Sequence, residues 1–134
     1  MMMWSLLLIA MGWSMACAQQ SGIPTVSPEE VFRRLKDTSI VVLDVRTPAE
    51  FAEGHIPGAR LIPVQELEQR LRELEPVRNK TVIAYCRSGG RSAYATQLLQ
   101  RHGFKVFSMR GGILEWQRQK YPTATPQSPP RRIQ

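Results

Sequence analysis

The chain has 134 residues, 43% hydrophobic and 22% charged, which suits one domain with a single core and excludes wholesale disorder and a multi-span membrane protein. Lys and Arg outnumber Asp and Glu by 18 to 11, a formal net charge of +7. No run of Lys and Arg interleaved with aromatics accompanies that charge, so it points to a small anionic substrate and away from nucleic acid.

Residues 1–18, "MMMWSLLLIAMGWSMACA", carry no charged side chain and hold an apolar stretch from Trp4 to about Met15. That is shorter than the roughly 20 residues of a membrane span and matches the apolar region of a secretory signal. Ala16 and Ala18 place small residues where a signal peptidase reads them, so cleavage after Ala18 is expected, leaving no stable membrane span. The segment lacks Lys and Arg before its apolar run, and lipidation at Cys17 or retention as an uncleaved anchor are the alternatives. Each of the three puts the domain outside the cytoplasm. With Cys17 removed, Cys86 is the only thiol, which forbids an internal disulfide and marks Cys86 as reactive.

After a short linker at 19–26, Ser27-Pro28-Glu29-Glu30 opens a helix as cap, first-turn proline and capping-box acid, with Val31, Phe32 and Leu35 as its apolar stripe. Ser39 to Val45, "SIVVLDV", is a continuous apolar run, read as a strand buried on both faces. Thr47-Pro48-Ala49-Glu50 starts a second helix that Gly54 stops, and Ala59 to Ile62 is a brief strand. Val64, Leu67, Leu71 and Leu74 predict an amphipathic helix over Val64 to Leu74.

Thr81 to Cys86 is a second buried strand, Ser92 to Arg101 a helix with Ala95, Leu98 and Leu99 inward, and Lys105 to Met109 a last strand. Gly111 and Gly112 make a turn before a helix from Ile113 to Lys120 that carries Trp116. Residues 122–134, with four prolines, read as a disordered, basic tail. Alternating strands and helices over 27–121 imply an α/β domain with a mostly parallel sheet flanked by helices on both faces. Ligands of such sheets bind beyond the carboxyl ends of the strands.

"YCRSGGRS" at 85–92 lies at such an end. Gly89 and Gly90 let backbone N–H groups curl toward one point above Cys86, and the helix that starts near Arg91 adds its positive end. A thiolate is an anion, so this cradle is expected to pull the Cys86 pKa from about 8.5 toward 7 or below, about 2.7 kcal/mol for two units. A core thiol needs no glycine pair, no flanking arginines and no helix start. Cysteine phosphatases place an arginine six residues after the cysteine; here Arg91 is fifth and Ser92 sixth. The shorter loop suits an added sulfur better than a phosphoryl group.

"CRSGGRS" resembles the active loop of the single-domain rhodaneses, the thiosulfate sulfurtransferases, and "LDVRTPAEFAEGHIPGARLIP" (Leu43 to Pro63) and "MRGGILEW" (Met109 to Trp116) resemble that family's upstream and closing segments. With the export signal, the chain is most similar to the small periplasmic rhodaneses. The resemblance implies a sulfur relay: Cys86 takes sulfur from a small anionic donor such as thiosulfate and passes it to cyanide or a thiol, with neither metal nor cofactor. Arg87, Ser88, Gly89, Gly90, Arg91 and Ser92 are then the donor-binding loop, Arg91 as organiser and Ser92 as hydroxyl donor or helix cap. Asp44 and Arg46 are expected to form a structural ion pair, and His55 and His102 to serve local structure. The competing readings are a non-catalytic or redox-sensing sulfur-carrier module and, more distantly, a phosphatase or arsenate reductase.

Overall fold

The computed structural model describes residues 22–126. The expected signal segment, the start of the linker and the end of the tail lie outside these residues. Five parallel strands form one sheet: β1 (Thr25–Val26), β2 (Ile40–Asp44), β3 (Arg60–Leu61), β4 (Thr81–Tyr85) and β5 (Lys105–Met109), in the order β1-β5-β4-β2-β3. The helices are α1 (Pro28–Arg33), α2 (Pro48–Glu53), α3 (Gly90–Arg101) and α4 (Gly112–Arg118). The expected α/β class holds.

Because strand side chains alternate with period two, each central strand sends its residues to two cores. Val41 and Leu43 of β2, Val82 and Ala84 of β4 and Val106 of β5 meet Leu98 and Leu99 of α3 on one face. Val42, Ile83, Tyr85 and Met109 meet Val31 of α1 and Ile113 and Trp116 of α4 on the other. Burial on both faces is why these strands read as unbroken apolar runs. The even-numbered row of β4 continues past the sheet edge to Cys86, which therefore turns toward α3.

Three segments differ from expectation. The linker ends in β1, whose residues pair with Ser108 and Met109; two residues are too few to show a period in sequence. The predicted α-helix at 64–74 is 3-10 helical, over Val64–Glu66 and Glu68–Val77 with a non-helical break at Arg70. Val64 and Leu67, then Leu71, Leu74 and Val77, are spaced by three, the repeat of a 3-10 turn. The single spacing of four, from Leu67 to Leu71, falls across Arg70. In α1, Phe32 is 41% exposed rather than core, and its ring stacks on Tyr121 at 4.4 Å.

The beginning of the expected tail is also ordered. Ala124 pairs antiparallel with His55 through N–H···O bonds of 3.0 and 2.8 Å, and the Trp116 indole N–H donates to the Pro122 carbonyl at 2.8 Å. Truncation after Tyr121 removes all three bonds. It should lower the unfolding free energy by about 2 kcal/mol in urea melts; an unchanged midpoint would show that these bonds contribute nothing net.

Candidate active site

β4 delivers Cys86 to the carboxyl edge of the sheet, beneath the first turn of α3. The residue is 1% exposed. Its Sγ accepts the Gly89 N–H at 3.1 Å and lies 3.6 Å from Ser92 Oγ. Gly89 precedes α3 with φ of 131°, a region side chains strain to enter, and this torsion lets its amide turn inward. Ser92 does not cap the helix; it lies inside the first turn of α3, with its Oγ 3.1 Å from the Gly89 carbonyl and 2.7 Å from Ser108 Oγ.

Burial is the largest single influence on the Cys86 thiol and opposes ionisation. The Ser92 hydroxyl and the amides of Ser92, Gly89 and Ser88 together outweigh it, so the pKa is held below its ordinary value. The lowering comes first from hydrogen bonds.

Arg91 is paired with a carboxylate of another element. Its guanidinium binds Glu50 of α2 in two bonds of 2.7 and 3.0 Å, and Glu50 also closes the capping box by accepting the Thr47 amide at 3.2 Å. Hydrogen bonding to Arg91 holds the Glu50 carboxyl down to about 2. The loop is thereby tied to α2.

The other end of the loop is tied to α4. The Ile113 amide donates to the Cys86 carbonyl at 2.9 Å and the Leu114 amide to the Arg87 carbonyl at 3.2 Å. Gly112 makes that approach possible: its φ is +60°, and a Cβ there would collide with both carbonyls. Arg87, Ser88 and Gly90 are exposed. Arg87 borders a cleft of about 210 Å³ shared with Glu53, Leu114 and Gln117; across the loop, Gly90, Arg91 and Tyr94 edge a groove of about 430 Å³ floored by Val64 and Leu98.

Asp44 and Arg46 form a buried ion pair at 2.7 Å, away from the sulfur. Asp44 also accepts the Tyr85 hydroxyl at 2.7 Å, Tyr85 accepts the Ile56 amide at 3.1 Å, and Arg46 reaches the Gly54 carbonyl at 2.8 Å. Burial, then the Asp44 charge, pushes the Tyr85 hydroxyl far up. His55 is a turn residue, with Nδ1 3.0 Å from the Phe51 carbonyl.

Residues 27–119 match the family model described as Rhodanese-like domain. The chain belongs to the rhodanese-like family. A sulfurtransferase of Allochromatium vinosum is 39% identical over 104 residues, 76% of this chain and 95% of that one. The thiosulfate sulfurtransferase PspE of Escherichia coli is 34% identical over 71 residues, 53% of this chain and 68% of that one. A crystal structure of a rhodanese-related protein from Thermoplasma volcanium superposes with a TM-score of 0.70 at 32% identity, covering 75% of this chain and 97% of the other.

In this rhodanese-like chain the three motifs converge on one loop, and reasoning from residues alone passed over three members. Glu50 was legible as a capping acid, but its second bond to Arg91 joins residues 41 apart. Gly112 read only as a turn. Ser108 was visible as one hydroxyl in the otherwise apolar β5 run "KVFSM", without indication of what it faces.

Two outcomes follow from the ties. Glu50 has a depressed folded pKa, so its contribution to stability is complete above about pH 4.5 and is lost as pH falls toward about 2. Urea melts of parent and Glu50→Gln should therefore differ at pH 6 and converge toward pH 2; a constant difference contradicts the Arg91 tether. Gly112→Ala should cost more than about 1 kcal/mol, from left-handed strain and collision together, and should slow alkylation of Cys86.

Proposed function

We propose that the chain is a sulfurtransferase, moving sulfane sulfur from thiosulfate or a similar anionic donor to cyanide or a thiol through a persulfide on Cys86. The observation that carries this reading is the Gly89 amide on Cys86 Sγ at 3.1 Å inside a loop whose arginine is bound to Glu50. A phosphatase needs a guanidinium facing the phosphoryl oxygens, and Arg91 faces a carboxylate instead. The names borne by the two sulfurtransferase relatives support the same reading.

In the first half-reaction the Cys86 thiolate attacks the outer sulfur of thiosulfate. A new S–S bond forms, the donor's own S–S bond breaks, and sulfite leaves with the electron pair. In the second, the acceptor nucleophile attacks that outer sulfur and the pair returns to Cys86 Sγ. The attacking species is the thiolate, which the loop's hydrogen bonds favour, so the step itself needs no general base. Arg87, exposed at the loop, is placed to attract the anionic donor, while the groove beside Tyr94 gives a thiol acceptor room to approach. We further propose that the domain is exported by its first 18 residues, most simply into a periplasm.

The purified protein should make thiocyanate from thiosulfate and cyanide, and Cys86→Ser should reduce this to background. After thiosulfate treatment the Cys86 peptide should gain about 32 Da, one sulfur, as a covalent intermediate requires. Full activity in Cys86→Ser would end the proposal; ready persulfidation without thiosulfate turnover would favour the carrier reading instead.

A further inference from the structure

Ser108 is 4% exposed and Ser92 fully buried, and their hydroxyl oxygens are 2.7 Å apart. The backbone of Ser108 is fixed from both sides, paired with Thr25 of β1 and Ala84 of β4. Ser92 Oγ stands 3.6 Å from Cys86 Sγ and 3.1 Å from the Gly89 carbonyl. Each hydroxyl has one proton and two lone pairs, so a limited set of arrangements satisfies the group.

With Cys86 protonated, its S–H donates to Ser92 Oγ and the Ser92 hydroxyl donates to the Gly89 carbonyl. When Cys86 ionises, its proton goes to solvent and the Ser92 hydroxyl rotates to donate to Sγ. The Ser108 hydroxyl donates to Ser92 Oγ in both states, but with opposite consequences. A hydroxyl that accepts a bond becomes a stronger donor and a weaker acceptor of a second one. Donation by Ser108 therefore strengthens the bond from Ser92 to the thiolate and weakens the one it accepts from the thiol.

We propose that Ser108 is a positioning residue that acts through Ser92, forming a chain of two buried hydroxyls that favours the ionised Cys86 sulfur. The same chain stabilises Cys86 Sγ as leaving group in the second half-reaction, when the bond to the outer sulfur breaks and its electron pair stays on Sγ. The proposal rests on Cys86 as the nucleophile. Its test reads ionisation rather than turnover, so it can fail while the sulfurtransferase reading stands.

The measurement is the rate of iodoacetamide alkylation against pH, read by mass on the peptide that holds Cys86, for the whole chain. Ser108→Ala should move the midpoint up by about half to one unit, the size expected for one buried hydrogen bond. In a Ser92→Ala background the same substitution should move it no further. An unchanged midpoint in Ser108→Ala, or an equal shift with and without Ser92, overturns the proposal. If Ser108→Ala does not fold, Ser108→Thr and Ser108→Val make the comparison in matched shapes. A higher midpoint for Val supports the hydroxyl chain, and equal midpoints overturn it.

Discussion

Cys86 is 1% exposed, and its sulfur must carry a negative charge if it is to attack, although burial works against that charge. The opposing donors come from the loop amides and from the first turn of α3. All act on a sulfur whose direction is fixed by the sheet. Val82, Ala84 and Cys86 share one face of β4, so the alternation that buries the strand also aims the thiol at the helix. Shifting that register by one residue would put Cys86 on the α4 face and Tyr85 under α3.

The loop does not hold this shape by its own packing. Arg87, Ser88 and Gly90 are exposed, and the geometry is imposed from outside at two places. Glu50 holds Arg91 near the end of the loop, and the Ile113 and Leu114 amides hold the carbonyls of Cys86 and Arg87 at its start. Beneath these, Asp44, Arg46 and Tyr85 join the end of β2 to the turn that carries Gly54 and Ile56. A buried ion pair is weak evidence for stability by itself. Here its hydrogen bonds reach three segments, which fixes where α2 presents Glu50.

Much of this was legible from residues because local chemistry and global fold agree. The cap at Thr47, the apolar runs at β2 and β4 and the glycines of the loop each have a local signature, and the resemblance to the rhodanese family is carried by overlapping stretches. What was not legible depends on meetings between distant segments. The Glu50 to Arg91 bond, the Ser92 to Ser108 contact and the pairing of Ala124 with His55 have no spacing to announce them. The 3-10 segment failed for another reason, since apolar spacings of three and four serve both helix types until packing chooses.

The basic composition takes on a narrower meaning once the pairs are placed. Arg33, Arg70, Arg78 and Arg118 are bound to glutamates three or four residues away, and Arg91 to Glu50. These charges are largely neutralised where they stand, and salt screens what remains beyond about 10 Å. Arg87 makes no ion pair with a carboxylate among the described residues, and it adjoins Cys86. Under the proposed sulfur transfer, attraction of an anionic donor falls to Arg87 at the mouth of the loop, and stabilisation of the thiolate to uncharged donors at its floor. In that proposed reaction, separating the tasks keeps a full positive charge away from the sulfur, where it would bind donor and released anion alike and slow product release.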